Sequence, residues 1–158
     1  MKLLIPMQAR LISDVAELWL TSATGTEELG RPFSFDVHFV TFESPVAATD
    51  LMGTKMAIEV VGPKGLRHFH GIVSRFVRLG RQHDFYAYAV RLVPDLWRLT
   101  LSADCRIFGS GDPILDQVVD LLQKANVDVD PRIDGAKRSV EYFVQYRETD
   151  FNFVSRLL

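Results

Sequence analysis

A mainly β fold with appended helices is what this sequence predicts, and three observations carry the prediction. Phe33, Phe35, Val37, Phe39 and Thr41 alternate with Ser34, Asp36 and His38, the period-two pattern of a strand buried on one face. Met56 to Val61 and Arg67 to Leu79 flank Gly62-Pro63-Lys64-Gly65, residues suited to a tight connection between antiparallel strands. From Asp112 the apolar spacing changes to that of a helix. Several antiparallel strands separated by turn signals read as a sandwich or a barrel, and periodicity leaves the two open.

The elements follow in order. Gly30-Arg31-Pro32 marks the start of the first long strand, and Gly71 interrupts the strand after the hairpin where a bulge or bend is the usual meaning. Asp84 to Val93 reads as a further strand, with Tyr86, Tyr88, Val90 and Leu92 on one face and Phe85, Ala87, Ala89 and Arg91 on the other. Pro94-Asp95 stops it, and Trp97 is expected to plug the turn that follows. Asp112 is suited to cap a helix with Pro113 at its first position. Ile114, Val118, Leu121, Leu122 and Ala125 then share one helical face, and Asn126 is suited to end it. Asp130-Pro131 and Asp134-Gly135 mark a polar loop before a strand at Glu141 to Tyr146. The change of period places a boundary near residue 105, dividing residues 1–104 from 105–158.

In the last stretch Tyr142, Val144 and Tyr146 alternate with Phe143 and Gln145, and Thr149 or Asp150 offers a side-chain oxygen to cap a helix. Phe151, Val154, Leu157 and Leu158 give that helix an apolar stripe. No Gly, Asn or Pro ends it, so the sequence reads as a fragment of a longer chain.

Composition narrows the function classes. The chain has 158 residues, 18 basic and 20 acidic, for a net charge of −2. Nucleic acid is not an expected partner, because phosphate binding needs a surface excess of basic residues. No segment reaches the roughly 18 apolar residues of a membrane-spanning helix. The apolar run Leu3-Leu4-Ile5 is too short for a signal peptide, which predicts a protein made and kept in the cytoplasm unless a dedicated machine exports it. One cysteine, Cys105, excludes an intramolecular disulfide and is expected to be a small buried apolar residue.

The candidates for chemistry are few. His68 and His70 project from one strand face and could chelate a metal, but such a site needs further ligands, and only His38 and His83 remain. Gly109-Ser110-Gly111-Asp112-Pro113 opens a helix, yet lacks the Lys and Ser/Thr of a phosphate loop and puts Pro where an amide donor is wanted. Arg147, Glu148 and Asp150 cluster at a strand-to-helix junction without a neighbouring His, Ser or Cys. Carboxylates there favour the helix start through its dipole, and Arg147 is free to bridge to a carboxylate elsewhere. No catalytic, cofactor-binding or metal-binding set is therefore assigned, and the expectation is a non-enzymatic component.

Three stretches carry a family resemblance: QYRETDFNFVSRLL at Gln145–Leu158, EELGRPFSFDVHF at Glu27–Phe39, and the run from LMGTKMAIEV at Leu51 to LTLSADCRIF at Phe108. They resemble the VgrG proteins, the trimeric spikes of type VI secretion systems, which are similar to hub proteins of contractile phage tails. Gly109–Pro113 and Val127–Ser139 depart from the family pattern. The resemblance selects the barrel. It implies a first tube-like antiparallel β-barrel at 1–104 and, at 105–158, a helix, loop, strand and helix leading into a second, incomplete barrel. It further implies a homotrimer in the full-length parent that caps the Hcp tube, delivers effectors, assembles in the cytoplasm and leaves through the type VI machine. The alternative from another class is a stand-alone adaptor that docks an effector or tail component.

Overall fold

The computed structural model describes residues 2–4, 9–42, 45–62, 65–109, 111, 113–132 and 138–158. The chain forms two compact units, Met1–Pro94 and Asp95–Leu158.

The first unit is one antiparallel sheet of seven strands: β1 (Lys2–Leu4), β2 (Ala9–Ser13), β3 (Trp19–Thr26), β4 (Ser34–Thr41), β5 (Lys55–Gly62), β6 (Gly65–Gln82) and β7 (Phe85–Val93). Their order is β1-β3-β4-β7-β6-β5-β2, which puts β1 and β2 at opposite edges although only five residue steps join Leu4 to Ala9. Five steps reach at most about 18 Å, whereas the edges of a flat seven-stranded sheet stand about 29 Å apart. The sheet must therefore curl, and β2 does lie against β3. It forms a curled antiparallel half-barrel, where the resemblance implied a barrel.

The concave face holds the core. Phe35, Val37, Phe39 and Thr41 of β4 are buried as their alternation predicts, while Asp36 and His38 face solvent. Tyr88, Val90 and Leu92 of β7 join them, and Phe39 stacks on Tyr88 with centroids 5.4 Å apart. Helix α1 (Ala48–Leu51) contributes Leu51, fully buried in the same core. The expected hairpin is present, with Gly62 paired to Gly65; Pro63 and Lys64 lie outside the described residues. Its second strand continues past the expected Leu79 to Gln82.

Gly71 is not the bulge. It pairs regularly with Met56, and a Cβ there would run into the Val93 carbonyl oxygen and crowd the Leu92 side chain. Its role is close approach of the neighbouring backbone. The irregularities of β6 fall between Val73 and Arg75 and between Arg78 and Gly80.

The second unit begins with a 3-10 helix, Asp95–Thr100, continues with β8 (Ala103–Phe108), α2 (Ile114–Lys124) and β9 (Phe143–Thr149), and ends with α3 (Asp150–Leu157). The expected change-over near residue 105 falls inside β8, because β8 pairs with β9 in a separate two-stranded sheet. Leu99, fully buried, anchors the 3-10 helix in place of the half-buried Trp97. The N-cap of α2 is Pro113, without a side-chain cap bond; Asp112, expected there, lies outside the described residues, as do Ser110, Asp134 and Gly135. Ile114, Val118, Leu121 and Leu122 are buried as their spacing predicts. Asn126 ends the helix with φ of 56°, a left-handed conformation that Asn tolerates at such positions.

The final strand starts two residues later than Glu141, and its buried face is Phe143 and Gln145. Tyr142 and Tyr146 of the alternate set are exposed. Aromatic stacking decides the register. Phe143 stacks on Phe108 at 4.8 Å and 6° and lies 6.0 Å from Phe153. Helix α3 likewise buries Phe153 and Val154, while Phe151 and Leu157 are half-buried and Leu158 is exposed. The expected Phe151-centred stripe is thus rotated toward Phe153.

Candidate functional site

The junction of β9 and α3, within the stretch of strongest resemblance, is the most elaborately bonded polar region of the second unit. It is built by a bulge. Asp104 pairs with Glu148 and Cys105 with Tyr146, leaving Arg147 as the extra residue with φ of 49°. That left-handed conformation costs an ordinary L residue energy, and the surrounding bonds hold it.

Gln145 lies fully buried one turn of the pleat before the bulge. Its Nε2 donates to the Glu148 carbonyl at 3.1 Å and to Asp150 Oδ1 at 2.7 Å. Asp150, itself buried, accepts from the Ser102 hydroxyl at 2.5 Å through Oδ2, and its backbone amide donates to the Ser102 carbonyl at 3.1 Å. Arg106 Nη2 stands 3.7 Å from Asp150 Oδ1. The helix start is capped by Thr149, whose hydroxyl oxygen accepts from the Asn152 amide at 3.2 Å.

A second tie closes the outside of the corner. Arg156 Nη2 donates to Glu148 Oε1 at 2.7 Å and also to the Val144 carbonyl, and its Nε donates to Oε1 at 3.0 Å. The hydrogen bonds from Arg156 hold the Glu148 carboxyl below the usual carboxylate range, against the opposing effect of desolvation. Arg156 also lies over the Phe153 ring at 5.0 Å, a favourable cation–π placement.

The expected charged cluster thus resolves into separate partnerships. Glu148 goes to Arg156, and Asp150 goes to Ser102 and Gln145. Arg147 bridges to no carboxylate among the described residues and instead lies over Tyr146 at 5.4 Å. Sequence reasoning missed Gln145, Ser102, Arg106 and Arg156. The legible signal was an amide side chain at a position alternating with aromatics, since a buried amide must find partners. Gln145 Oε1 itself has no hydrogen-bond partner among the described residues.

Cys105 is exposed on β8, which corrects the expectation of burial. It points to the outer face of the β8–β9 ribbon, across from Tyr146, because the inner face is taken by Phe108 and Phe143. The outer face also carries Ile107, 78% exposed.

His68 and His70 do share one face, with rings 5.6 Å apart. His68 Nε2 donates to Glu59 Oε2 at 2.7 Å, and Arg10 Nε lies 2.6 Å from Oε1. The three residues sit side by side on β2, β5 and β6. Hydrogen bonds from Arg10 and then His68 hold the Glu59 carboxyl below its usual range. His38 lies on β4 and His83 in the β6–β7 turn, so they do not complete the pair. Among the described residues no three His, Cys, Asp or Glu side chains converge as a metal set.

Taken together, the curled sheet and the bulged corner define a β-rich module. The chain belongs to the phage tail baseplate hub (GPD) family, whose sequence pattern matches residues 26–158. It is 37% identical over 147 residues to the type VI secretion system spike protein VgrG1c of Pseudomonas aeruginosa and 38% identical over 144 residues to VgrG1a of the same organism. Each alignment covers 89% of this chain, but the chain spans only 20% and 22% of those relatives. A further relative, the actin cross-linking toxin VgrG1 of Vibrio cholerae, is 30% identical over 131 residues, 12% of its own length. The fold is similar to that of the E. coli c3393 protein, described as a type VI secretion component resembling the T4 bacteriophage tail proteins gp27 and gp5. That match has a TM-score of 0.76 at 24% identity and covers 100% of this chain and 42% of the other. No helix among the described residues is long and apolar enough to cross a membrane.

Proposed function

We propose that this chain is the hub-forming part of a type VI secretion spike, a structural component without catalytic activity of its own. The observation that carries the reading is the hub-family match across residues 26–158, which includes strands β4 to β7 of the curled sheet and the bulged corner. On this reading residues 1–104 are a tube-like barrel and residues 105–158 open a second one. The exposed apolar outer face of the β8–β9 ribbon supports that assignment, because an apolar sheet face gains stability when a further element covers it. Three copies, each contributing two similar barrels, then present six quasi-equivalent units to a sixfold Hcp tube. A closed ring of this kind requires heterologous interfaces whose rotation closes. Effectors travel with the spike, and export occurs through the secretion machine after cytoplasmic assembly.

Light scattering on the product of the complete reading frame tests the assembly, with a mass of three chains expected across a dilution series. Co-sedimentation with Hcp tubes tests the cap. A monomer at all concentrations, or a trimer that fails to sediment with Hcp, would overturn the corresponding part of the proposal.

A further inference from the structure

The seven arginines of the first unit divide unequally. Arg10, Arg31, Arg67 and Arg91 pair with Glu59, Glu28, Glu27 and Asp36. Arg75, Arg78 and Arg81 have no ion-pair partner among the described residues, and all three are exposed on the distal half of β6.

Two of them are aimed together by a bulge. Arg78 pairs with Tyr88, Gly80 with Ala87 and Arg81 with Tyr86, so Leu79 is the extra residue. In a regular strand positions three apart point to opposite faces. The inserted residue cancels that, and Gly80, with φ of 132°, supplies the backbone conformation that ordinary residues avoid. Arg78 and Arg81 therefore share the face of Tyr86 and Tyr88. Both guanidinium groups lie over the Tyr86 ring, at 5.6 and 5.3 Å. Bulges commonly serve to re-aim a side chain, and here one converts a divergent pair of cations into a convergent pair. Stacking on an aromatic ring restrains both side chains without neutralising either.

From this we infer that Arg78 and Arg81, held over Tyr86 at the end of the β6–β7 hairpin, form a docking site for an acidic extended segment of a partner protein. Their cross-strand neighbours are two residues apart on β7, a separation of about 7 Å that matches carboxylates at alternate positions of an extended chain. Guanidinium groups offer paired donors suited to carboxylates. A nucleic acid fits less well, because the net charge of −2 opposes a polyanion beyond the two-arginine footprint. The inference uses only the first unit and holds whether or not the chain caps a tube.

Fluorescence anisotropy of the 158-residue chain tests it with a labelled peptide of about ten residues carrying aspartates at alternate positions. Saturable, salt-sensitive binding is expected, weakened about tenfold or more in Arg78→Gln and in Arg81→Gln. Arg75→Gln, on the opposite face across from Arg91, is expected to change it by less than about twofold. Absence of saturation up to about 1 mM peptide, undiminished binding by both glutamine variants, or equally tight binding of a peptide with adjacent aspartates or of a single-stranded oligonucleotide would each overturn the proposal. Circular dichroism on every variant confirms that a loss of binding is not a loss of fold.

Discussion

Gln145 donates from Nε2 to Asp150 Oδ1 at 2.7 Å, tying the buried face of β9 to the first residue of α3 across the bulge at Arg147. Asp150→Ala removes an acceptor from the exposed Ser102 hydroxyl and from the buried Gln145 amide, which keeps only the Glu148 carbonyl, at a cost of about 1–3 kcal/mol. Asp150→Asn keeps one acceptor and is expected to lose less. Urea denaturation followed by the fluorescence of Trp97, in the same unit, reads the difference. Equal midpoints for Asp150→Ala and the parent would show that solvent serves these groups instead.

The core of the first unit makes a simpler prediction. Phe35→Ala empties a fully buried aromatic site that contacts Phe69 at 4.7 Å and Phe33 at 5.5 Å, with an expected loss of about 3–5 kcal/mol. His38→Ala, exposed on the same strand, is expected to stay within about 0.5 kcal/mol. Chemical denaturation of the pair checks which face of β4 is buried.

Gly71→Ala probes the close approach to β7. The added methyl collides with backbone at Val93, which cannot swing aside as a flexible side chain can. Overpacking of this kind costs about 1–3 kcal/mol. A neutral substitution would mean that the strands separate freely there.

The Glu148–Arg156 pair predicts a pH dependence. Because Arg156 holds the Glu148 carboxyl below its ordinary range, the unfolded chain takes up this proton at higher pH than the folded one. The stabilisation is present above the unfolded value of about 4.3 and is lost as pH falls through the folded value. Half-exposure of Arg156 limits it to about 0.2–1 kcal/mol. Glu148→Gln should therefore lose less stability than the parent between neutral pH and about pH 3. Parallel urea titrations at the two pH values measure this, and identical acid sensitivity would remove the pair from the account.

Cys105, exposed on the ribbon's outer face, should react with a chromogenic disulfide reagent in native buffer as fast as in denaturant. Protection that is released only by unfolding would return it to the interior.

Much of the first unit is legible in the sequence, for a local reason. The strand at Phe33–Thr41 and the hairpin around Gly62–Gly65 show themselves through alternation and turn chemistry that depend only on near neighbours. The second unit was less legible. Tyr142, Val144 and Tyr146 are as apolar as a core set needs to be, and nothing local says that Phe143 wins the interior by stacking on Phe108, thirty-five positions earlier in the chain. Gly71 shows the same gap, since a bulge and a close approach both call for glycine and only the position of Val93 separates them.

The sequence by itself determined the mainly β class, the helix at Ile114–Lys124, a capping oxygen at Thr149 or Asp150 and membership of the hub family, because periodicity, capping oxygens and long literal matches are properties of the linear order. Tertiary structure alone decided which side of β9 is buried and where the two units divide. It also decided that the carboxylates at 148 and 150 serve different partners and that a single inserted residue turns Arg78 and Arg81 to the same face. Each of these depends on strand register and on contacts between residues distant in the chain, and a shift of one position reverses every side chain in a strand.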